Sequence, residues 1–392
     1  MEVKKVKVSL PKNKYYSKIE VNDDGLALEL KKKKKVALLL IGLNTHYWPY
    51  LKQIIEDARQ HFLPQHNVDY FVWTDIPESD KDLEKKLSTH PTEEQIGQLR
   101  EFAKDSDELI QIQKLISREK LMDVVTFMRE KKDIVITETD PLEHRFCTLM
   151  RYHLFLGKEK ELKNYEYLFY VDVDMRMVSK ISDEVLGQGL TCAEHPMYSL
   201  APKYIPPYEP NNKSTAFIPR PGQVVEDEKG KRFRPLYLAG GFQGGKTKPF
   251  IKAMKVMKKR IDKDLDSNYV AIWNDESHWN KYLFDYKGPL TVLSPAYIYP
   301  DSLIKEYYEP LWGRSYEPKI ITITKPFMLS KAAGLELRQQ MGINQDHTPI
   351  LLANKIQCEK CGDVMQQKNM HLKRVITCEG SGKPHQLEMK PL

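Results

Sequence analysis

An aromatic, apolar run that ends in two aspartates constrains this chain more than any other segment. Residues 165–174 read Tyr-Glu-Tyr-Leu-Phe-Tyr-Val-Asp-Val-Asp. The run contains strong strand formers and has no helical period, so we predict a buried β-strand. Alternation along that strand sends Asp172 and Asp174 to the same side. Open α/β sheets bind ligands at the carboxyl ends of their strands, which predicts an acidic site at this edge.

The two carboxylates are hard oxygen donors. Such a pair suits Mg²⁺ or Mn²⁺ carried in with a diphosphate. A short Asp-x-Asp is a weak signal by itself, because many such pairs are only solvated turns, so this tripeptide leaves both interpretations open.

A second cluster of polar and aromatic residues lies about a hundred positions later. Residues 273–282 read Trp-Asn-Asp-Glu-Ser-His-Trp-Asn-Lys-Tyr. Sugar sites combine aromatic faces with carboxylates in this way. The alternative is an amphipathic helix that begins near Asp275 and buries Trp279 and Leu283. We expect a real helix whose first turn is functional.

These segments resemble, in the same order, the motifs of the retaining glycosyltransferases of family six, which includes the ABO blood-group transferases and α-1,3-galactosyltransferase. The resemblance covers about residues 36 to 331. The matching segments are Val171 to Met175, His195-Pro196, Tyr208-Glu209, Ser214 to Pro219, Gly240 to Gly245, Trp273 to Tyr282 and Leu293 to Tyr297. The chain departs from the family at Gln243, Asn274 and Ala296, and it has extra residues at about 78 to 132 and 222 to 234.

The resemblance implies a GT-A type fold, in which a Rossmann-like mixed sheet is flanked by helices. It implies metal-dependent transfer of galactose or N-acetylgalactosamine from a UDP-sugar to a glycan hydroxyl, with an α-1,3 linkage. The acceptor would be an oligosaccharide or a lipopolysaccharide-type glycan. Small residues at Ala239 and Gly241 favour the larger sugar, because they leave room for an N-acetyl group.

The resemblance also assigns roles to individual residues. Mn²⁺ or Mg²⁺ would bind Asp172 and Asp174, and Glu276 would act at the anomeric carbon. His195 and Trp273, with Glu276, would hold the acceptor. The remaining donor-binding residues would be Tyr47, Arg151, Val173, Ala239, Gly240, Gly241, Asp275, Lys325 and Lys331.

Arg151 lies on a helix predicted over residues 144–156. Its guanidinium suits a phosphate or the carboxylates of the metal site. The alternative is a surface arginine beside an acidic neighbour.

The chain divides into a basic leader over residues 1–35, a transferase domain over 36–331 and an extension over 332–392. Strands at 36–43 and 70–74 enclose a helical pattern at 47–62, which predicts a parallel sheet. A charged, helix-favouring insertion occupies about residues 78–132 and is interpreted as a scaffold or lid.

The extension contains Cys358-x-x-Cys361-Gly and Cys378. This spacing predicts a structural zinc knuckle whose fourth ligand is His371 or His385. A free-thiol tail and a redox pair are the alternatives. Nearby lysines and Arg374 also suit nucleic acid or another polyanion.

The composition, with 29% charged and 41% hydrophobic residues, is that of a globular protein. Eleven lysines in the first 35 residues suit phosphates or anionic lipid, although a solvated run is the commoner reading. We expect no membrane anchor or signal peptide, and hence a cytoplasmic, microbial or viral protein. The second hypothesis is an inert transferase core that binds carbohydrate or nucleic acid through the leader and the knuckle.

Overall fold

The computed structural model describes residues 33–103, 111–112, 115–142, 144–196, 206–218, 237–301 and 317–323, and the backbone of six short strands elsewhere. The chain divides into two compact units, Met1–Thr324 and Lys325–Leu392.

The first unit is built on a seven-stranded mixed sheet with the order β10-β6-β9-β4-β1-β2-β3. Within this sheet β9 runs antiparallel to both of its neighbours, β4 and β6. The pairs β4–β1, β1–β2, β2–β3 and β10–β6 are parallel. The seven strands are β1 (Lys35–Gly42), β2 (Asn67–Thr74), β3 (Ile134–Glu138), β4 (Tyr167–Val171), β6 (Leu190–Glu194), β9 (Leu238–Lys246) and β10 (Leu290–Leu293).

Three short strands form a second sheet in the order β11-β12-β5. They are β5 (Met175–Met177), β11 (Tyr299–Pro300) and β12 (Ile320–Thr322). A two-residue pair, β7 (Val225–Glu226) and β8 (Arg232–Phe233), is antiparallel.

Helices cover both faces of the large sheet. Strand β1 shows why: Leu38 and Leu40 pack into one apolar cluster, whereas Leu39 and Ile41 pack into another on the opposite face. A strand buried on both faces reads as a continuous apolar run, as β1 does. The described helices are α1 (Trp48–His61), α2 (Asp80–Leu87), α3 (Glu93–Phe102), α4 (Arg118–Glu130), α5 (His144–Leu149), α6 (Arg151–Gly157), α7 (Glu159–Leu162), α8 (Thr247–Asp266) and α9 (Asn274–Asp285).

The mixed α/β sheet flanked by helices confirms that part of the predicted fold class. The insertion contains α2, α3 and α4, and α4 buries Leu121, Val124, Val125 and Met128 in the same cluster as α1. These residues make α4 part of the core, which supports the scaffold interpretation.

Two local predictions were wrong. The helix expected over residues 144–156 is interrupted at Met150, so that α5 and α6 are separate and Arg151 begins the second. Strand β4 ends at Val171, and Asp172 to Asp174 form a turn before β5. Strand alternation therefore does not apply to the two aspartates.

Among the described residues, no helix combines the length and the apolar character needed to cross a membrane. Cys147 and Cys192, the two cysteines of the first unit, are both free thiols.

The second unit contains a four-stranded antiparallel meander of β13 (Lys355–Gln357), β14 (Val364–Gln366), β15 (Val375–Cys378) and β16 (Pro384–Gln386). Cys378 pairs with Met365 across β14 and β15, and His385 pairs with Ile376 across β15 and β16. Cys358, Cys361 and His371 lie outside the described residues, so the zinc knuckle stays a prediction.

Candidate active site

The strand order of the large sheet changes direction at β1. The next strands in the chain, β2 and β3, lie on one side of β1, and β4 lies on the other side. Ligands of open α/β sheets bind at such a switch point, beyond the carboxyl ends of the strands. Tyr47 follows β1 and Asp172 follows β4, so this parallel pair carries both residues to the same edge of the sheet. Tyr47 is partly buried against the core and stacks at a tilt on His46.

A bulge in β9 shapes the floor of the site. Cys192 of β6 pairs with Gln243 and Glu194 pairs with Leu238, so one residue of β6 faces residues 239–242 of β9. Bulges re-aim the backbone and are common beside functional sites. The bulge directs the Gly240 N–H to Oε2 of Glu276, at 2.6 Å.

Arg151 is buried at the centre of an acidic cluster, with 2% of its surface exposed. Its Nε lies 3.1 Å from Oδ2 of Asp275, and its Nη2 lies 3.5 Å from Oδ1 of Asp172. Its Nη1 donates to the Gly240 carbonyl at 2.9 Å, and the guanidinium lies over the Tyr170 ring. The reading of Arg151 as a surface residue was therefore wrong, whereas its pairing with the carboxylates was right.

The turn that carries the two aspartates is held from several sides. Tyr170 donates its hydroxyl hydrogen to Oδ1 of Asp172, and the Asp172 N–H donates to the Gly241 carbonyl at 3.0 Å. The Ile323 N–H donates to the Asp174 carbonyl at 2.9 Å. The Asp172 side chain remains 30% exposed, so a ligand can reach it.

Glu276 lies in the first turn of α9 and is partly buried. Its Oε1 accepts from the Tyr237 hydroxyl at 2.7 Å, while its Oε2 accepts from Gly240. Burial raises the pKa of Glu276, and the bonds from Tyr237 and Gly240 oppose that rise. The carboxylate is thus held in one orientation from both of its oxygens.

Asp275 is almost completely buried beside Arg151. Burial raises the pKa of Asp275 to about 7, although the Arg151 guanidinium opposes the shift. Asp172 and Glu276 add to the rise, because each would place a like charge near Asp275.

Two of the three residues expected to hold an acceptor, His195 and Trp273, share one neighbour, Tyr237. The His195 N–H donates to the Tyr237 carbonyl at 3.0 Å, and the two rings meet edge to face at 5.7 Å. Burial lowers the pKa of His195 to about 4, so its imidazole is neutral at pH 7. Trp273 packs against the apolar cluster of Tyr208, Ile218 and Tyr237.

A buried carboxylate fixes the backbone ahead of Trp273. Glu209 is 1% exposed and accepts from the Ile272 N–H at 2.7 Å and from the Tyr269 hydroxyl at 2.8 Å. It also accepts from the Asn211 N–H at 2.8 Å. Glu209 therefore ties the loop at 206–218 to the start of α9.

Packing gives another reason for the small residues at 239 and 241. Ala239 is fully buried within the core. A Cβ at Gly241 would lie 2.5 Å from Cε of Met175 and 2.7 Å from Oδ2 of Asp172. A larger side chain at either position would therefore meet protein atoms, and the choice between galactose and N-acetylgalactosamine stays a prediction.

The sequence reasoning missed Tyr237 and Tyr152. Tyr237 binds Glu276 across 39 positions of the chain, and Tyr152 binds Gln243 across 91 positions. Neither tyrosine lies in a motif, so only the fold reveals them. Val173 is buried in the turn between the aspartates. Lys325 and Lys331 lie outside the described residues.

A mixed sheet with helices on both faces, and an acidic site beyond the ends of its central strands, fits a GT-A-like fold. Comparison with known proteins relates the chain to one family. Residues 147–308 match the profile of glycosyltransferase family 6, the family whose motifs the chain resembles.

The relatives are animal and bacterial transferases. The chain is 26% identical over 258 residues to the rat histo-blood group ABO system transferase 1, a match that covers 66% of this chain and 59% of the relative. It is 25% identical over 255 residues to the chicken globoside α-1,3-N-acetylgalactosaminyltransferase 1, with 65% and 59% coverage. It is 26% identical over 175 residues to the O-antigen biosynthesis glycosyltransferase WbnI of Escherichia coli, with 44% and 65% coverage. The chain thus spans less than two thirds of each relative.

Proposed function

We infer that the protein is a retaining glycosyltransferase that moves galactose or N-acetylgalactosamine from a UDP-sugar to a hydroxyl of a glycan, with an α-1,3 linkage. The observation that carries this proposal is the cluster of Asp172, Arg151, Asp275 and Glu276 at the switch point of the sheet. The match of residues 147–308 to the family profile and the transferase names of the relatives support it.

Each member of the cluster has a separate task. Glu276 acts on the anomeric carbon, either as a nucleophile or by stabilising the positive charge that develops there. Asp275 accepts hydrogen bonds from the hydroxyls of the donor sugar, and Arg151 holds that carboxylate in position. The partly exposed Asp172 faces the leaving diphosphate.

The acceptor lies against the opposite wall in this proposal. His195 is neutral and accepts or donates one hydrogen bond to a sugar hydroxyl, while the Trp273 face packs against the apolar side of a sugar ring. Tyr47, which follows β1, contacts the uracil. Val173 contacts the ribose through its backbone, and Lys325 and Lys331 bind the diphosphate.

Asp172 and Asp174 fit a Mn²⁺ or Mg²⁺ ion. The described residues contain no group of three or more His, Cys, Asp or Glu side chains able to hold a metal by themselves. Two carboxylates completed by substrate phosphates and water are, however, the usual ligand set of Mg²⁺ in nucleotide sites. When bound, the ion would neutralise the charge of the leaving diphosphate.

The test of this function is a direct assay of donor cleavage. The protein is incubated with UDP-galactose, UDP-N-acetylgalactosamine, a GDP-sugar and a CMP-sugar, each with Mn²⁺ and a set of oligosaccharide acceptors, and UDP release is followed. We expect turnover with the two UDP-sugars and a product whose anomeric proton has the coupling constant of an α linkage. A β-linked product, or strict use of another nucleotide, would overturn the proposal.

Asp174→Asn should abolish transfer and the metal-dependent binding of UDP. The amide keeps the size of the side chain but removes one anionic ligand, and hard cations need that charge. Calorimetric titration of UDP with and without Mn²⁺ measures the loss, and the urea midpoint checks that the variant is folded. Full activity of the variant in excess chelator would contradict the metal assignment.

The extension should bind about one zinc ion per chain through Cys358, Cys361, Cys378 and either His371 or His385. Thiolates at this spacing prefer zinc, whereas the aspartates of the first unit prefer Mn²⁺ or Mg²⁺. Elemental analysis of protein made with zinc present measures the content. Cys358→Ser with Cys361→Ser should lose the zinc and keep UDP release. A wild-type protein that contains no zinc and whose three cysteines are freely alkylated would contradict the predicted zinc site.

A further inference from the structure

Gln243 is a fully buried amide with a polar partner at each end. Its Nε2 donates to the Gly240 carbonyl at 2.9 Å, and its Oε1 accepts from the Tyr152 hydroxyl at 2.8 Å. The Gly240 carbonyl fixes the orientation of the amide, since a carbonyl can only accept and must face the NH₂ end, and the Tyr152 hydroxyl then donates to the oxygen end. The resemblance to the family places a phenylalanine at this position, so the polar side chain is a feature of this chain.

Gly240 needs such support because of its place in the bulge of β9. The bulge removes the regular pairing of residues 239–242 with β6, and a glycine has no side chain to restrict its backbone. Its carbonyl instead accepts two hydrogen bonds, from Gln243 and from Nη1 of Arg151. Both lone pairs of that oxygen are therefore used.

The amide side of Gly240 meets the reactive carboxylate. The N–H donates to Oε2 of Glu276 at 2.6 Å, and a Cβ at Gly240 would lie only 3.0 Å from Cβ of Glu276. The backbone must approach this closely for the bond to form. Fixing the Gly240 carbonyl restricts the torsions of this glycine and so fixes the direction of its N–H.

We propose that Gln243 and Tyr152 are positioning residues for Glu276, and that they act through Gly240. Tyr152 orients the Gln243 amide, the amide holds the Gly240 carbonyl, and the Gly240 N–H holds the Glu276 carboxylate toward the donor sugar. Neither side chain touches substrate in this arrangement. The inference rests on the proposed role of Glu276 as the group that acts at the anomeric carbon.

The kinetic test compares Gln243→Met and Tyr152→Phe, which keep the shape of each side chain and remove its hydrogen bonds. We expect kcat to fall roughly 10-fold while the KM for the UDP-sugar changes less than about 2-fold, since Glu276 is misaligned and donor contacts remain. The double variant should be no slower than the slower single variant, because both changes break one chain of contacts.

Thr191→Val is the matched control. Thr191 is fully buried on β6 and donates to the Val185 carbonyl at 2.9 Å. The substitution removes one buried hydrogen bond outside the proposed network, so stability should fall while kcat stays at the wild-type value. A similar loss of kcat in Thr191→Val would assign the effect to general destabilisation and overturn the proposal.

A second measurement is independent of activity. Protein labelled with ¹⁵N-glycine should show the Gly240 amide proton far downfield, because its bond to a carboxylate is short. Glu276→Gln identifies this signal by shifting it. In Gln243→Met and in Tyr152→Phe the signal should move upfield and its hydrogen exchange should accelerate.

The outcomes distinguish a failure of the proposed transferase function from a failure of the positioning role of Gln243 and Tyr152. If the wild type transfers no sugar, the proposed function fails, and the Gly240 signal still decides whether Gln243 and Tyr152 control that bond. An unchanged Gly240 signal in a folded variant overturns the positioning role, as does an unchanged kcat in an active enzyme. If Gln243→Met does not fold, Tyr152→Phe carries the test through the Gly240 signal, because that signal reports the Gly240 bond itself, whereas kcat also depends on Oδ2 of Asp275, which lies 3.5 Å from the Tyr152 hydroxyl.

Discussion

Glu276→Gln is expected to lower the turnover number about 1,000-fold while leaving the affinity for the UDP-sugar within about 3-fold of the wild-type value. The amide retains the size of the side chain and can still accept a hydrogen bond from Tyr237 or Gly240. It lacks the negative charge that acts at the anomeric carbon. An interaction made mainly in the transition state affects kcat far more than donor binding.

Single-turnover kinetics and calorimetric titration of the donor separate the two quantities. Glu184→Gln is the control, because Glu184 is an exposed carboxylate outside the cluster that likewise accepts from a tyrosine, Tyr297, at 2.8 Å. That variant should keep its turnover number. A Glu276→Gln enzyme that loses donor affinity but keeps kcat would make Glu276 a binding residue only.

Arg151→Met should reduce the free energy of unfolding by about 3 to 5 kcal/mol, the usual cost of removing one member of a buried ion pair. Asp275 would then stay buried without its cation, and Asp172 would lose a neighbouring positive charge. The methionine fills much of the volume, so the loss comes mainly from unpaired charge.

The loss should depend on pH in a defined direction. Burial already raises the pKa of Asp275 to about 7, and Arg151 opposes that rise. Without Arg151 the pKa of Asp275 rises further. As the pH falls, protonation of Asp275 removes its unpaired buried charge and with it most of the destabilisation. A carboxyl with a raised native pKa stabilises the fold at low pH and loses that contribution as the pH increases. Arg151→Met should therefore be more damaging at pH 8 than at pH 5.5.

Urea unfolding at both pH values measures the effect. Arg129→Met is the matched control, because Arg129 pairs with Asp80 at 2.6 Å on the surface, where ion pairs contribute about 0 to 1 kcal/mol. Arg151→Lys keeps the positive charge but cannot contact Asp275, Asp172 and the Gly240 carbonyl at the same time. Its loss of unfolding free energy should lie between those of Arg129→Met and Arg151→Met. An Arg151→Met protein within 1 kcal/mol of the wild type would show that the cluster is not a structural ion pair.

Short-range patterns in the sequence predicted much of the fold. The run at 167–171 is β4, and the cluster at 273–282 begins α9 with Trp279 and Leu283 buried, as its spacing indicated. Both follow from the period of apolar residues within one element. The ordered motifs also pointed to the family whose profile matches residues 147–308, because several motifs in sequence order are far more specific than any one of them.

Contacts between distant elements could not be predicted in this way. The break at Met150, the bulge in β9 and the bond from Tyr237 to Glu276 all depend on how separate elements pack. Gly241 was interpreted from its size alone, whereas Met175 and Asp172 are what surround it. The sequence motifs predicted most of the acidic residues of the site but not the residues that orient them.

Strand β9 joins two parts of the large sheet, β10–β6 on one side and β4–β1–β2–β3 on the other. It lies between β4 and β6, yet it follows both in the chain. A ribosome therefore releases β4 and β6 before the strand that pairs with both of them, and the edge of each that β9 covers stays open until residues 238–246 emerge. Open edges of apolar strands are prone to pairing with other chains. The arrival of the glycine-rich strand thus closes two exposed edges during synthesis, and the contact of Gly240 with Glu276 forms later, once α9 has emerged.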